Sequence, residues 1–428
     1  MIGASHAVID PFESASVIVS GAAFAAYLNS RTLRLPQTIA LTLSGALVSV
    51  VAALADHIWP ALGLGRVVQI FMSSIDFRTA LLNVMLSFLL FAGALHVDLS
   101  RLRLARWPIA VLSTLGVVIS TVIVGLGFWF AARALGIALP ITWCFVFGAL
   151  VSPTDPVSVI AILQKSTVPP LLKTTVAAES LFNDGVGIVL FTVLLTMASG
   201  GGEVSPVAGA TMFAVEAVGG VALGLVLGLI AFYAIRSVDE YATEALITAA
   251  LVMGGYSLAA RIGVSGPVAM AVAGLIIGNV AAPRAMSEAT RDHLMKFWDL
   301  IDHLLNAVLF LLIGLQSIAL LGAPRLMLAA ALAVPLSLLA RALSVVPALG
   351  IWHRLLPFHQ AFPVLTWGGL RGGIAVAMAL SLPRVPARDA ILAATYAVVM
   401  FSVLVQGGTM HRLVRRVARS MPAARRTP

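Results

Sequence analysis

Apolar runs about as long as a bilayer is thick follow one another along nearly the whole chain, and few folds can hold them. Broken by Pro, Gly and charged residues, they fall near 14–29, 38–58, 79–97, 107–132, 141–164, 174–198, 206–235, 243–260, 264–281, 297–321, 326–350, 361–383 and 389–410. A helix needs about 20 apolar residues to span the hydrocarbon. No water reaches the bilayer core, so each backbone N–H and C=O must find its partner within the protein, and runs of this length do so as helices. The expected fold is an all-α polytopic membrane protein of about 13 transmembrane helices. A shorter stretch at 65–77 reads as an interfacial helix. No loop is long enough for a second folded unit, so 1–428 reads as a single transmembrane domain ending in a short basic tail, 411–428.

Composition narrows the classes further. Charged residues are 11% of the chain, against roughly 25% in soluble domains. Hydrophobic residues are 60%, and the mean hydropathy is +1.03. Such a chain cannot cover a soluble surface, which excludes a soluble enzyme, a disordered chain and a nucleic-acid module. The high pI, about 10.5, reflects basic loops. With the N-terminus outside and the C-terminus in the cytoplasm, 18 of the 27 Lys and Arg fall in inner segments and seven in outer ones. Arg412, Arg415, Arg416, Arg419, Arg425 and Arg426 then face the anionic inner leaflet. The lone cysteine, Cys144, excludes an intrachain disulfide or a cysteine-built metal cage. The N-terminus lacks the basic n-region of a signal peptide.

Two runs are interrupted in mid-membrane: the fifth by P-T-D-P at 153–156, the twelfth by G-G-L-R-G-G at 368–373. Paired interruptions half a chain apart point to a transporter of two inverted repeats, here spans 1–6 and 8–13, with the site where the breaks meet. Pro153 and Pro156 remove amides that would bond the carbonyls of Ala149 and Ser152, which together with the Thr154 hydroxyl become available to a cation. Asp155 sits in the break, where it can balance the positive end of the following half-helix; a charged cap on a plain kink is the simpler alternative.

Ionisable residues cost about 3 kcal/mol each at the centre of a membrane helix, so those present are functional candidates. They are Asp155, Glu179, Asp184, Glu216, Arg341 and Arg371. Around A-E-S-L-F-N-D-G in the sixth span, Glu179 and Asn183 share one helix face, while Ser180 and Asp184 share the adjacent one. A carboxylate with hydroxyl neighbours, and without thiol or imidazole, suits a hard monovalent cation at Asp184, Thr154 and Ser180. Burial disfavours a bare carboxylate, so proton and cation can compete for it. Arg341 reads as a structural counter-ion with Glu179 as its partner. Arg371 can neutralise a negative half-helix end, and Glu216 reads as structural. Asp299, Asp302, His303 and Asn306 read as polar groups at the start of span 10.

V-S-P-T-D-P-V-S-V at 151–159 and E-S-L-F-N-D-G-V-G-I-V-L-F at 179–191, with N-A-V-L-F-L-L-I-G-L at 306–315 and W-G-G-L-R-G-G-I-A-V-A at 367–377, resemble the bacterial branch of the sodium/proton exchanger family. The resemblance implies electroneutral exchange of one monovalent cation for one proton, serving pH and sodium homeostasis at the cell inner membrane. It implies that Asp184 binds cation or proton alternately, that Thr154 and Ser180 supply further oxygens, and that Arg341 holds Glu179 and Asn183. It implies a homodimer whose core bundle moves like an elevator, and no cofactor. Some relatives carry a carboxylate in span 3 just before an Ala-Gly step, where this chain has Phe91. Sodium is the expected ion, with lithium or potassium as alternatives. A cation channel and a proton-translocating subunit of a larger complex are the rivals from other classes.

Overall fold

The computed structural model describes residues 11–60, 63–65, 67–68, 71, 85–155, 157–164, 166, 168–200, 206–316, 324–352 and 358–419, and every regular element among them is helical. The interfacial helix expected at 65–77 lies largely outside them, as do Pro156, Arg425, Arg426 and the first part of the third run. Helix is present in the described part of each of the thirteen runs. Nine helices there are long and apolar enough to cross a membrane, and the two broken runs contribute shorter pieces.

The chain begins with α1 (Pro11–Arg31), α2 (Gln37–Ile58) and α3 (Leu86–Leu95). After a short α4 (Leu99–Leu104), the fourth run bends at Thr114 between α5 (Arg106–Ser113) and α6 (Leu115–Ala134). The Thr114 hydroxyl bonds back to the Ala110 carbonyl, a contact that bends helices. The fifth run splits into α7 (Ile141–Val151) and α8 (Val157–Gln164). Then come α9 (Pro170–Ser199), α10 (Pro206–Arg236), α11 (Tyr241–Ile262) and α12 (Gly266–Ile276), the last extended by a π turn at Ile277–Ala281. After α13 (Glu288–Leu315) and α14 (Pro324–Trp352), the twelfth run splits into α15 (Phe358–Trp367) and α16 (Gly373–Leu380). The chain closes with α17 (Ala387–Phe401), a π turn at Ser402–Gly407 and α18 (Gly408–Arg419).

Two boundaries differ from the sequence reading. Helix α13 starts at Glu288, not near 297, because Ser287 caps it and accepts a hydrogen bond from the Thr290 amide. Asp299, Asp302, His303 and Asn306 therefore lie in its interior rather than at its start. The final helix runs on to Arg419, because Met410, Val414 and Val417 recur at helical spacing and are buried while Arg412, Arg415, Arg416 and Arg419 stay exposed.

With no hydrophobic drive inside lipid, close backbone approach must hold the helices together. Gly45 of α2 and Gly314 of α13 face one another: a Cβ on either would run into the partner's backbone, at Leu311 and Thr42. Cys144 is buried in the apolar core. Phe91 is buried against Trp298, with ring centroids 4.6 Å apart, while Ala92 and Gly93 beside it line the central cavity.

Candidate cation site

The long uninterrupted α9 packs against both halves of the broken fifth run. Pro170 at its first turn and the absence of interior proline let it run for 30 residues, presenting Glu179, Ser180, Asn183 and Asp184 side by side, all buried. The Arg341 guanidinium meets Glu179 in a fork, Nη1 to Oε1 at 2.9 Å and Nη2 to Oε2 at 3.0 Å. Its Nε donates to the Leu365 carbonyl at 2.9 Å. Asn183 Nδ2 donates to Glu179 Oε1 at 2.6 Å and to Thr154 Oγ1 at 2.8 Å, and Asn183 Oδ1 accepts from the Thr154 amide at 3.3 Å. Ser180 Oγ lies 3.0 Å from Thr154 Oγ1. Glu179, Asn183, Thr154, Ser180 and Arg341 thus form one connected network.

Asp184 stands at the edge of that network. It is 5% exposed, and its Oδ1 is buried with no hydrogen-bond partner among the described residues. The charged side chains acting on it are Asp155, Glu179 and Arg371. Asp155 and Asp184 both line a cavity of about 1680 Å³ that reaches the surface among Arg34, His96, His303, His411 and Arg415. Thr154 and Ser180 lie behind its wall, 1% and 2% exposed.

The two breaks cross here. The Asp155 amide donates to the Leu370 carbonyl at 2.8 Å, and a side chain at Gly372 would run into the Asp155 carboxylate. The carbonyls of Ala149 and Ser152, expected to be open to a cation, are engaged instead. The Ser152 amide donates to Ala149 O at 3.3 Å. Arg371 Nη1 donates to Ser152 O and, at 2.8 Å, to Pro153 O. A half-helix ending in apolar surroundings leaves carbonyls that need donors, and a guanidinium supplies five. Arg371 therefore caps the other broken helix rather than its own.

Residues 18–416 match the family model described as sodium/hydrogen exchanger, transmembrane. The chain belongs to the sodium/hydrogen exchanger family. It is 45% identical over 403 residues to the Na(+)/H(+) antiporter NhaP of Pseudomonas aeruginosa, covering 92% of this chain and 94% of that protein. It is 34% identical over 349 residues to the Na(+)/H(+) antiporter NhaH of Halobacillus dabanensis, covering 80% and 84%. Its fold matches that of the sodium proton antiporter MjNhaP1 of Methanocaldococcus jannaschii with a TM-score of 0.74 at 22% identity, covering 94% of this chain and 97% of that one.

In this exchanger α13 adds to the cavity residues that the sequence alone reads as polar groups at a helix start. Asp299, Asp302 and His303 of α13 line it, and His96 Nε2 lies 3.0 Å from Asp299 Oδ1. The signal was present: Asp292, Asp299, Asp302, His303 and Asn306 recur at helical spacing, which marks one polar face of a longer helix. Glu216 is half-buried on α10, away from the cavity lining. Among the described residues no group of three or more His, Cys, Asp or Glu is placed to hold a metal ion.

Proposed function

We propose that this chain is a secondary-active antiporter, not an enzyme, exchanging sodium for protons one for one at Asp184. The observation that carries this reading is a carboxylate oxygen buried without a partner at a cavity wall, beside hydroxyls that can join it around a cation. A carboxylate in that setting needs a neutralising ligand, and proton and sodium are two ligands of equal charge. Thr154 and Ser180 supply oxygens when they turn from each other toward the ion, and Asp155 adds charge at the cavity wall. Glu179, Asn183 and Arg341 hold α9 and the first break in register, and Arg371 compensates the broken-helix end. The naming of the Pseudomonas and Halobacillus relatives as Na(+)/H(+) antiporters supports sodium as the cargo.

The loops rich in Arg and Lys favour an orientation with the N-terminus outside and the C-terminus in the cytoplasm of a bacterial inner membrane. In that orientation the cavity opens inward, because Arg34, His96, His411 and Arg415 lie on its rim. In this reading alternating access is an elevator motion of the bundle bearing both breaks past the remaining helices. The working unit is a homodimer, the basic tail rests on anionic lipid, and nucleic acid has no role. Physiologically the exchange serves pH and sodium homeostasis.

Proton flux in liposomes or everted vesicles, challenged in turn with sodium, lithium and potassium, tests the reading. Sodium-driven proton movement that neither generates nor responds to a membrane potential is the expected result. Proton movement with potassium alone replaces the cargo, and none with any cation rejects antiport.

A further inference from the structure

We propose that Ser402, oriented by Gln406, is a positioning residue that sets the conformation of the Asp155 segment through a single peptide group. The inference rests on the exchange reading above for its transport consequence, but its geometry stands apart from it.

The peptide joining Leu370 to Arg371 makes two bonds in opposite directions. Its carbonyl accepts the Asp155 amide at 2.8 Å. Its N–H donates to Ser402 Oγ at 2.9 Å. A trans peptide is planar, with N–H and C=O pointing to opposite sides, so fixing one fixes the other. Ser402 in turn donates to Gln406 Oε1 at 2.6 Å, and Gln406 Nε2 donates to the Trp367 carbonyl at 3.1 Å. The indole of Trp367 donates to Thr409 Oγ1 at 2.9 Å. Ser402 and Gln406 are both about 2% exposed or less.

The local helix geometry makes this arrangement. Ser402–Gly407 is a π turn between α17 and α18, an irregularity that recurs at functional positions in helices. Trp367 O is one of the last carbonyls of α15 and has no helical donor, which Gln406 supplies. Arg371 N lies in the glycine-rich break, where no helix can take it. Two backbone groups orphaned by the second break are therefore satisfied by one hydroxyl and one amide on the π turn. Met410 of α18, which follows the turn, packs against Gly368, closing the joint.

Losing Ser402 leaves a buried N–H unpaired and frees the peptide to rotate, which withdraws the carbonyl from Asp155. Hydrogen exchange reads this without reference to transport. Pro153 and Pro156 carry no amide, so the 153–156 segment reports only Thr154 and Asp155. In S402A that segment should exchange roughly tenfold faster than in wild type, with S402T close to wild type and Q406A between them. In liposomes S402A should raise the apparent KM for sodium roughly three- to tenfold while the maximal rate changes less, and S402T should restore it. Unchanged exchange at Thr154 and Asp155 in both S402A and Q406A, in protein that folds normally, overturns the proposal. Faster exchange with wild-type sodium affinity also overturns it, as a positioning role in transport. If wild type itself moves no protons with sodium, the exchange reading fails while the amide data still decide the geometry.

Discussion

Two carboxylates five residues apart on α9 have opposite surroundings. Glu179 is gripped by a bidentate arginine and by Asn183, so both its oxygens are satisfied. Asp184 is buried nearly as deeply, yet its Oδ1 has no partner among the described residues, and the residue lines the cavity. Depth in the membrane is common to both and does not distinguish them. The distinction lies in whether the protein has already supplied the neutralising partner. In the proposed exchange the satisfied Glu179 is scaffold, and Asp184, at the cavity, is the place for an ion that comes and goes.

This contrast fails or sharpens under substitution, beginning with the two carboxylates themselves. Asp184→Asn should reduce sodium-driven proton flux by at least about a hundredfold while folded yield is retained, since a neutral amide cannot exchange proton for cation. Retained exchange in that variant moves the site elsewhere. Arg341→Ala should act on the other side of the comparison, lowering thermal stability and folded yield. Breaking a buried pair from one side costs about 3–5 kcal/mol, because Glu179 is left charged and without its counter-ion. Normal stability with altered sodium affinity would instead make Arg341 part of the binding site.

Smaller effects test the frame around Asp184. Gly372→Ala places a methyl group against the Asp155 carboxylate and should slow transport by roughly tenfold, a cost of about 1–3 kcal/mol for overpacking, measurable as a lower maximal rate. Ser180→Ala removes one hydroxyl of the network and should raise the apparent KM for sodium roughly fivefold, about the value of one hydrogen bond. The smallest effect is expected from Asp299→Asn at the exposed mouth. Cation capture there should weaken only at low ionic strength, because exposed charges are screened by salt.

Much of this arrangement is legible in the amino-acid order, for identifiable reasons. Lipid forces helices from apolar runs, so the all-α fold follows from hydropathy, and prolines or glycines at 153–156 and 368–373 mark the breaks without reference to partners. The i, i+4 relation brings Asn183 to Glu179 on a single helix. Contacts between distant segments are less accessible. Nothing local in G-G-L-R-G-G says that Arg371 reaches across to Ser152 and Pro153, because its carbonyl partners are defined by the crossing of two chains. The start of α13 was obscured because apolar length marks a membrane span, whereas the first turns of that helix are amphipathic, with Leu294 and Trp298 buried and Asp292 and Lys296 paired at the exposed surface. The link from Ser402 through the Leu370–Arg371 peptide to Asp155 is backbone geometry and has no sequence signature.

In the proposed exchange one carboxylate, Asp184, binds either sodium or a proton, never both. The most direct measurement of this is the apparent KM for sodium in liposomes as pH is lowered at fixed sodium gradients. Competition for Asp184 predicts that, on the acidic limb, each pH unit raises the apparent KM about tenfold while the maximal rate at saturating sodium is unchanged. A falling maximal rate with constant KM would contradict it, by placing the proton and the cation on separate groups.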